Sequence, residues 1–224
     1  CHKNPKQINY LLETLNDIDV SFYIHIDKKS NILSQINNGG NIYFLKDSER
    51  LDIKWGQSQM VHATINLIKA ALKSNNKYDY FWLLSGQDFP IKSINYIKKY
   101  LEHNNGKNYI DVMPKDNHLY KRFLKRNELR YAPFMANSNV IITILKQFYI
   151  LLTGGPQKTI ILKRKNTTGL EFNFGSSWWI LSNDCIQYIY DKIINNSGII
   201  EYFDNSICRD ESIFQSIFVS SPYY

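Results

Sequence analysis

Segments with strand character alternate with segments of helical periodicity through the first half of the chain, and this alternation restricts the fold more than any other feature. Strands are predicted at 22–27, 41–46, 78–84 and 108–113, where β-branched and aromatic residues cluster. Helices are predicted at 57–73 and 94–103, where apolar residues recur at helical spacing. This order is typical of α/β proteins, so we predict a mainly parallel central sheet flanked by helices. The segment 78–84 is too apolar to have a solvated face and is expected at the centre.

The second half of the chain is less regular. Residues 139–155 are apolar, and helix and strand compete there. A strand is predicted at 175–182, followed by helices at 183–195 and 211–218. We therefore expect the sheet to become mixed in this half and the chain to form a single domain, 1–224.

Polar side chains follow three of the predicted strands. They are His25 and Asp27, then Ser85, Gln87 and Asp88, and finally Ser182 and Asn183. Because the carboxyl ends of parallel strands meet at one edge of a sheet, we expect these groups to share that edge. Ligands of open α/β sheets bind there, so the sequence predicts a crevice for a nucleotide or a sugar.

Composition narrows the classes of partner. The chain has 224 residues, 44% of them hydrophobic, a formal charge of +7 and a pI of about 9.1. A basic protein favours nucleic acid, anionic lipid or phosphate-bearing substrates, but no nucleic-acid-binding module is present. Cys1, Cys185 and Cys208 lack the spacing of zinc ligands and indicate a reducing compartment. The bias toward Asn, Ile and Lys suggests an AT-rich bacterial genome.

Six segments of the chain occur in the order HKNPKQINYLLETL, FYIHIDKKS, WGQSQMVHATINLIKAAL, YDYFWLLSGQDFPIKS, FGSSWWILSNDCIQYI and RDESIFQSIF. Together they resemble the core-2/I-branching β-1,6-N-acetylglucosaminyltransferase family, which also contains the protein O-xylosyltransferases. The resemblance extends from residue 2 to about residue 222, with a poor match at 115–170.

The resemblance implies a nucleotide-sugar transferase with a GT-A type fold. It implies an inverting reaction in which GlcNAc or xylose passes from a UDP-sugar to a carbohydrate hydroxyl, without a metal cofactor. A nucleotide-binding half at 1–113 and an acceptor and catalytic half at 114–224 are expected.

Relatives hold the UDP diphosphate with basic residues beyond the segment that matches Asp210-Glu211, yet residues 212–224 contain no Lys or Arg. We therefore expect the sequence to be truncated at both ends. The alternative is a non-catalytic nucleotide- or glycan-binding domain, or an inactive fragment of such an enzyme.

A literal Asp-any-Asp metal motif occurs at Asp17-Ile18-Asp19, but it precedes a strand. We interpret it as a turn that ends a helix. The position expected for a metal instead carries Ser85-Gly86-Gln87-Asp88, and a single carboxylate is a poor magnesium or manganese site. No metal site is predicted.

Glu211 is the predicted general base, because it matches the family's Asp-Glu pair. Asp210 is expected to cap the last helix, with Glu211 half-buried beside the stripe formed by Phe214 and Phe218. Burial raises the pKa of a carboxyl and a helix N-terminus lowers it, so Glu211 should stay ionised near neutral pH. The alternative is that both acids simply begin a helix.

Two strand-end residues are assigned to the nucleoside by the resemblance. Asp27 would accept a hydrogen bond from uracil or ribose, and the alternative is a solvated acid in a turn. His25 is also a candidate donor-binding residue. Because it alternates with Tyr23, it is expected to face the interior, where a structural role is the alternative.

The remaining donor-side candidates lie in two loops. Ser85, Gln87 and Asp88 follow the third strand, and Asp88 would bond a hydroxyl of the donor sugar unless it caps the next helix. Trp55, Gly56 and Ser58 precede a helix N-terminus, which favours phosphate or sugar oxygens. The alternative there is a loop and a helix cap, with Trp55 in the core.

The acceptor side is assigned to two tryptophans and two arginines. Trp178 and Trp179 alternate across a strand, so one should face outward and stack on a sugar ring, unless both belong to the core. Arg126 and Arg130 lie in a loosely matched region where relatives contact the acceptor. The expected setting is the bacterial cytoplasm, at the inner face of a membrane that the positive charge helps to bind.

Overall fold

A computed structural model of the chain describes residues 1–54, 58–128, 140–142, 144–145, 148, 165–204, 206 and 209–224, without the side chains of 125–128. The chain divides into two compact units. The first comprises residues 1–54, 59–109 and 178–190, and the second comprises 55–58, 110–177 and 191–224.

The described part of the chain contains helices and strands in alternation. The helices are α1 Pro5–Thr14, α2 Gln59–Leu72, α3 Ile94–His103, α4 Tyr120–Glu128, α5 Asn183–Ile194, α6 Ser197–Asp204 and α7 Ile213–Val219. The strands are β1 Phe22–Ile24, β2 Ile42–Phe44, β3 Tyr80–Trp82, β4 Tyr109–Ile110 and β5 Trp179–Ser182. Short 3-10 helices occupy Leu33–Gln35, Asp47–Glu49 and Arg209–Glu211. No helix among the described residues is both long and apolar enough to cross a bilayer.

The strands form a parallel pair and a three-stranded sheet. β1 and β2 are parallel, with Tyr23 opposite Tyr43. The other sheet has the order β3-β5-β4, and β3 pairs with β5 in antiparallel orientation, with Phe81 opposite Leu181. The predicted α/β class, the parallel pairing and the mixed second half are confirmed. The expected central place of segment 78–84 is wrong within the described residues, since β3 lies at an edge and β5 at the centre.

Local sequence explains where the helices of the first unit begin. Asn4 adopts a left-handed conformation and its Oδ1 accepts a hydrogen bond from the Gln7 amide, while Pro5 occupies the first helical position. Ser93 caps α3 through its Oγ, which accepts from the Tyr96 amide at 3.3 Å. Both caps satisfy main-chain donors that the helix itself leaves free.

The core of the first unit lies between α1 and β1. Ile8 and Leu12 of α1 pack against Ile24 and Ile26, which lie in and just after β1. The two isoleucines are two positions apart and therefore point to the same face of the strand. This core fixes the end of β1, from which two of the predicted site residues project.

The second unit has an aromatic core. The ring of Phe172 stacks on Tyr202 with 5.2 Å between centroids and meets Phe203 edge-on at 5.8 Å. Phe174 meets Phe123 of α4 at 5.7 Å. Tyr120 donates its hydroxyl to the Phe172 carbonyl oxygen at 3.0 Å. These contacts hold segment 172–174 against α4 and α6, two helices that the sequence pattern did not predict.

The ambiguous segment 139–155 is helical wherever the structure describes it, at residues 140–142, 144, 145 and 148. The predicted helices at 57–73, 94–103, 183–195 and 211–218 correspond to α2, α3, α5 and α7; the ends of α3 match, and the other ends differ by at most two residues. The predicted strands are confirmed but shorter than expected.

Candidate functional site

Asp88 closes the turn that follows β3. Its Oδ2 accepts a hydrogen bond from the Ser85 amide at 2.6 Å, and its own amide donates to the Ser85 carbonyl oxygen at 3.3 Å. The Gln87 amide donates to the Ser85 Oγ at 3.1 Å. The alternative role of Asp88 as the cap of α3 is wrong, because Ser93 fills that position.

A cavity of about 260 Å³ opens beside this turn in the first unit. Its walls include Asp88, Phe89, Trp82 and Trp178. The Trp178 side chain is 46% exposed, whereas Trp179 is only 4% exposed. The prediction that one tryptophan points outward is confirmed, and only Trp178 offers an exposed ring face on which a sugar could stack. The cavity thus combines an aromatic surface with one carboxylate.

Cys1 contacts both the end of β1 and the turn that follows β3. The Cys1 nitrogen donates to the His25 carbonyl oxygen at 2.6 Å, and the Asp27 amide donates to the Cys1 carbonyl oxygen at 2.8 Å. A Cβ atom on Gly86 would lie 2.9 Å from the Cys1 Sγ and 3.1 Å from Ile8. Glycine therefore lets the turn after β3 approach the end of β1 closely.

His25 is an interior residue. Its side chain is 6% exposed, and its Nε2 accepts a hydrogen bond from the Leu51 amide at 2.9 Å. Burial is the main reason that its pKa falls from 6.5 to about 4. His25 is therefore neutral near pH 7 and orders segment 51–53, as the structural alternative predicts.

Asp27 is buried at 4% exposure, so its alternative description as a solvated acid is wrong. Its Oδ1 accepts from the Lys29 amide and its Oδ2 from the Ile53 amide, both at 3.1 Å. The Lys29 Nζ lies 3.9 Å from Asp27 Oδ2 and 2.7 Å from Asp52 Oδ1. Asp27 thus holds Ile53, two residues before Trp55, and its contact to a nucleoside stays a prediction.

The third strand end does not share an edge with the other two. In the antiparallel pair, Ser182 lies opposite Tyr80, at the start of β3, and the Asn183 amide donates to the Asp79 carbonyl oxygen at 2.8 Å. The prediction for Ser182 and Asn183 is therefore wrong. The error arises because the shared-edge rule holds for parallel strands, and β5 runs the other way.

Several of the predicted site residues lie next to a gap in the described residues or outside them. Ser58 is half-buried and directly precedes α2, whereas Trp55 and Gly56 are outside the described residues. Arg126 lies in α4, but its side chain is not among those described, and Arg130 is outside as well. Their assigned roles stay predictions.

Glu211 ends a 3-10 turn in the second unit. The turn spans Arg209–Glu211, and α7 begins after Ser212. The prediction that Asp210 caps the last helix is therefore wrong. Its Oδ2 instead accepts a hydrogen bond from the Ser177 Oγ at 2.8 Å. Glu211 is half-buried, as predicted, and its carbonyl oxygen accepts from the Gly175 amide at 3.0 Å.

Arg209 anchors this turn and was not among the predicted residues. The side chain is 3% exposed, and its Nε donates to the Phe203 carbonyl oxygen at 2.9 Å. Its Nη2 donates to the carbonyl oxygens of Asp204 at 2.7 Å and Ser206 at 2.5 Å. A guanidinium suits the last carbonyls of a helix, because it carries several donors and a charge that the helix dipole favours. A basic residue directly before the Asp-Glu pair was the only signal in the sequence.

Residues 173–176, which precede Trp178, form hydrogen bonds to the Glu211 turn and to α7. The main-chain amide of Asn173 donates to the Ser216 Oγ at 3.0 Å, and the Gln215 Nε2 donates to the Ser176 carbonyl oxygen at 2.6 Å. Gly175 fits because a Cβ there would lie 1.8 Å from the Asp111 carbonyl oxygen. The main chain of the Glu211 turn is therefore held on several sides within this unit.

The Asp17-Ile18-Asp19 motif belongs to a turn after α1, as predicted. The Lys98 Nζ of α3 pairs with Asp17 at 2.7 Å and also with Asp19. The hydrogen bond from Lys98 is the main cause that lowers the pKa of Asp17. Across the described residues, no three His, Cys, Asp or Glu side chains group as metal ligands would.

Sequence comparison relates the chain to known glycosyltransferases. The family model described as Core-2/I-Branching enzyme matches residues 3–224. The chain is 25% identical over 208 residues to beta-1,3-galactosyl-O-glycosyl-glycoprotein beta-1,6-N-acetylglucosaminyltransferase 4 of Mus musculus, covering 90% of this chain and 41% of the relative. It is 21% identical over 224 residues to xylosyltransferase 2 of Rattus norvegicus, covering 97% of this chain and 23% of the relative. The chain thus spans less than half the length of these relatives.

Proposed function

The chain belongs to the core-2/I-branching enzyme family, and from this membership we propose that it is an inverting glycosyltransferase. The donor is a UDP-sugar, with GlcNAc or xylose as the transferred sugar, because relatives of both kinds match. The acceptor is a carbohydrate hydroxyl. The family match over residues 3–224 is the observation that carries this proposal.

The proposed reaction is a single displacement with Glu211 as general base. A carboxylate oxygen of Glu211 takes the proton of the acceptor hydroxyl as the acceptor oxygen bonds to the anomeric carbon of the donor. The bond from that carbon to the phosphate oxygen breaks, and UDP leaves with the electron pair. Attack from the side opposite the leaving group inverts the anomeric configuration.

The surroundings of Glu211 support this role. A general base must be held at the proton that it removes, and small displacements cost rate. The buried guanidinium of Arg209 and the bond from Gly175 fix the main chain of the turn. The half-buried side chain of Glu211 is accessible to a substrate without being fully solvated.

The sugar-binding roles belong to the first unit. We propose that the cavity lined by Asp88, Phe89, Trp82 and Trp178 receives sugar, with Trp178 stacked on the apolar face of an acceptor ring and Asp88 bonded to a hydroxyl of the donor sugar. Asp88 keeps one carboxylate oxygen beyond the Oδ2 that closes the turn. Metal independence, a cytoplasmic location and contacts from Arg126 and Arg130 are part of the same proposal.

Calorimetric titration of UDP into the protein, first in excess EDTA and then with manganese, tests the donor site. Binding in EDTA is expected and would support a metal-independent transferase. Binding that requires manganese would contradict the metal-independent part alone.

The variant Glu211→Gln tests the base. Transfer from UDP-GlcNAc or UDP-xylose to an oligosaccharide should fall by at least about 100-fold, while UDP affinity stays unchanged. Glu201→Gln, at an exposed position of α6, is the matched control and should keep full activity. Full activity of Glu211→Gln would refute the base assignment. UDP or glycan binding without turnover by the wild type would favour a non-catalytic binding domain.

A further inference from the structure

We propose that an apolar helix face in the second unit docks the protein onto an anionic lipid surface. The face is made by large apolar side chains that are 56–73% exposed. They are Val140, Ile141, Ile144, Leu145 and Phe148, all in helical conformation. We call this set the exposed apolar face.

The spacing of these residues places them on one side of the helix. Val140, Ile144 and Phe148 are four positions apart, as are Ile141 and Leu145. At 3.6 residues per turn, the five side chains cover an arc of about 140°. A stripe of this width normally packs against a protein core, so its exposure marks an interaction surface.

The charge of the sequence around the exposed apolar face indicates which kind of partner surface it binds. Residues 129–170 contain no Asp or Glu, but they contain six basic residues, which account for +6 of the formal charge of +7. These are Arg130, Lys146, Lys158, Lys163, Arg164 and Lys165. Exposed Lys121 and Arg122 precede this segment in α4. A segment so free of acids is attracted to a negative surface along its whole length.

An anionic membrane satisfies both properties at once. Helices that lie in the membrane interface combine an apolar face with an excess of Lys and Arg, and they bury the apolar face at the boundary between headgroups and acyl chains. A nucleic acid would match the charge and leave the apolar face in water. An apolar protein partner would cover the face but would not account for the charge.

Flotation of the whole protein with lipid vesicles tests the proposal. Binding to vesicles of phosphatidylcholine and phosphatidylglycerol in a 7:3 ratio is expected, with weaker binding to pure phosphatidylcholine and at high salt. The double variant Ile144→Ser, Phe148→Ser should bind at least about tenfold more weakly, because two apolar side chains no longer enter the bilayer. Circular dichroism and urea unfolding would check that the variant is folded.

The matched control uses two isoleucines of the first unit that are more exposed than Ile144 and Phe148. Ile18 and Ile91 are 98% and 94% exposed, and Ile18→Ser, Ile91→Ser should bind vesicles like the wild type. A local readout comes from Phe148→Trp, whose emission brominated lipids should quench, in contrast to the emission of Ile91→Trp.

Three results would overturn the proposal. The wild type could fail to bind phosphatidylglycerol vesicles, or the Ile144→Ser, Phe148→Ser variant could bind them as well as the wild type does. Alternatively, sedimentation velocity could show that the wild type self-associates, that the variant does not, and that neither binds vesicles. That last result would make the exposed apolar face an interface between protein chains.

Discussion

The buried imidazole of His25 should make the protein less stable as the pH falls. The side chain is 6% exposed and accepts a hydrogen bond from the Leu51 amide, which requires an unprotonated Nε2. Burial is the main cause that lowers the pKa of His25 from 6.5 to about 4; the charge of Arg50 acts in the same direction, whereas Asp27 opposes it.

The sign and size of the effect follow from the two pKa values. Between the folded value of about 4 and the unfolded value of 6.5, the unfolded chain binds more protons. Stability that is fully present above pH 6.5 is therefore lost as the pH falls toward 4. Between pH 7.5 and pH 4.5, His25 alone should remove about 2 to 3 kcal/mol from the free energy of unfolding.

Urea unfolding of the wild type and His25→Gln at these two pH values measures the effect. The glutamine Oε1 can accept the Leu51 amide but does not titrate, so the carboxylates common to both proteins cancel in the comparison. The difference between the two free energies of unfolding should shift by about 2 to 3 kcal/mol in favour of the variant at pH 4.5. A difference that stays constant between the two pH values would refute the reasoning.

Four further substitutions test the geometry. Gly175→Ala should lower the free energy of unfolding by about 3 kcal/mol, measured in urea, because a Cβ would lie 1.8 Å from a main-chain oxygen. Lys98→Met should raise the pKa of Asp17 toward the usual carboxyl value, measured by NMR titration, because it removes the main cause of the lowering. Trp179→Ala should cost about 3–5 kcal/mol of stability. Trp178→Ala should cost less than about 1 kcal/mol but weaken binding of an oligosaccharide such as N-acetyllactosamine, measured by calorimetry.

Each of these substitutions has a control and a contrary outcome. Gly40→Ala adds a methyl group with nothing within 4 Å and should leave stability unchanged. If Gly175→Ala is equally harmless, the packing argument at that glycine is wrong. Lys99→Met, at an exposed position of the same helix, should not move the pKa of Asp17. For the tryptophans, an equal loss of stability in both alanine variants would contradict the inward and outward assignment.

The sequence predicted most of the helices and strands because their patterns are local. Helical periodicity located α2, α3 and α5, and β-branched and aromatic clusters located the strands. The orientation of β5 depends on which distant segment it pairs with, and no short window of sequence carries that information. The assumption of parallel strands therefore failed for Ser182 and Asn183.

The sequence indicated which residues belong to the candidate site but not the hydrogen-bond partners of their side chains. The place of His25 and Asp27 at the end of a strand was visible in the sequence, whereas Glu211 was expected in the first turn of a helix and lies in the 3-10 turn before it. Their partners were not, because the bonds from Leu51 to His25 and from Ile53 to Asp27 join residues 26 positions apart. The buried Arg209 was missed for the same reason, since only the fold shows that helix-end carbonyls surround it.

The pairing of β3 with β5 also bears on how the chain folds during synthesis. Phe81 lies opposite Leu181, one hundred residues later, so the ribosome completes the intervening chain before this ladder can form. Closing so long a loop slows folding, and the nascent β3 meanwhile exposes an unpaired edge to which another chain can bind. The first unit can therefore be completed only when residue 190 has emerged, and until then its strands are a target for chaperones.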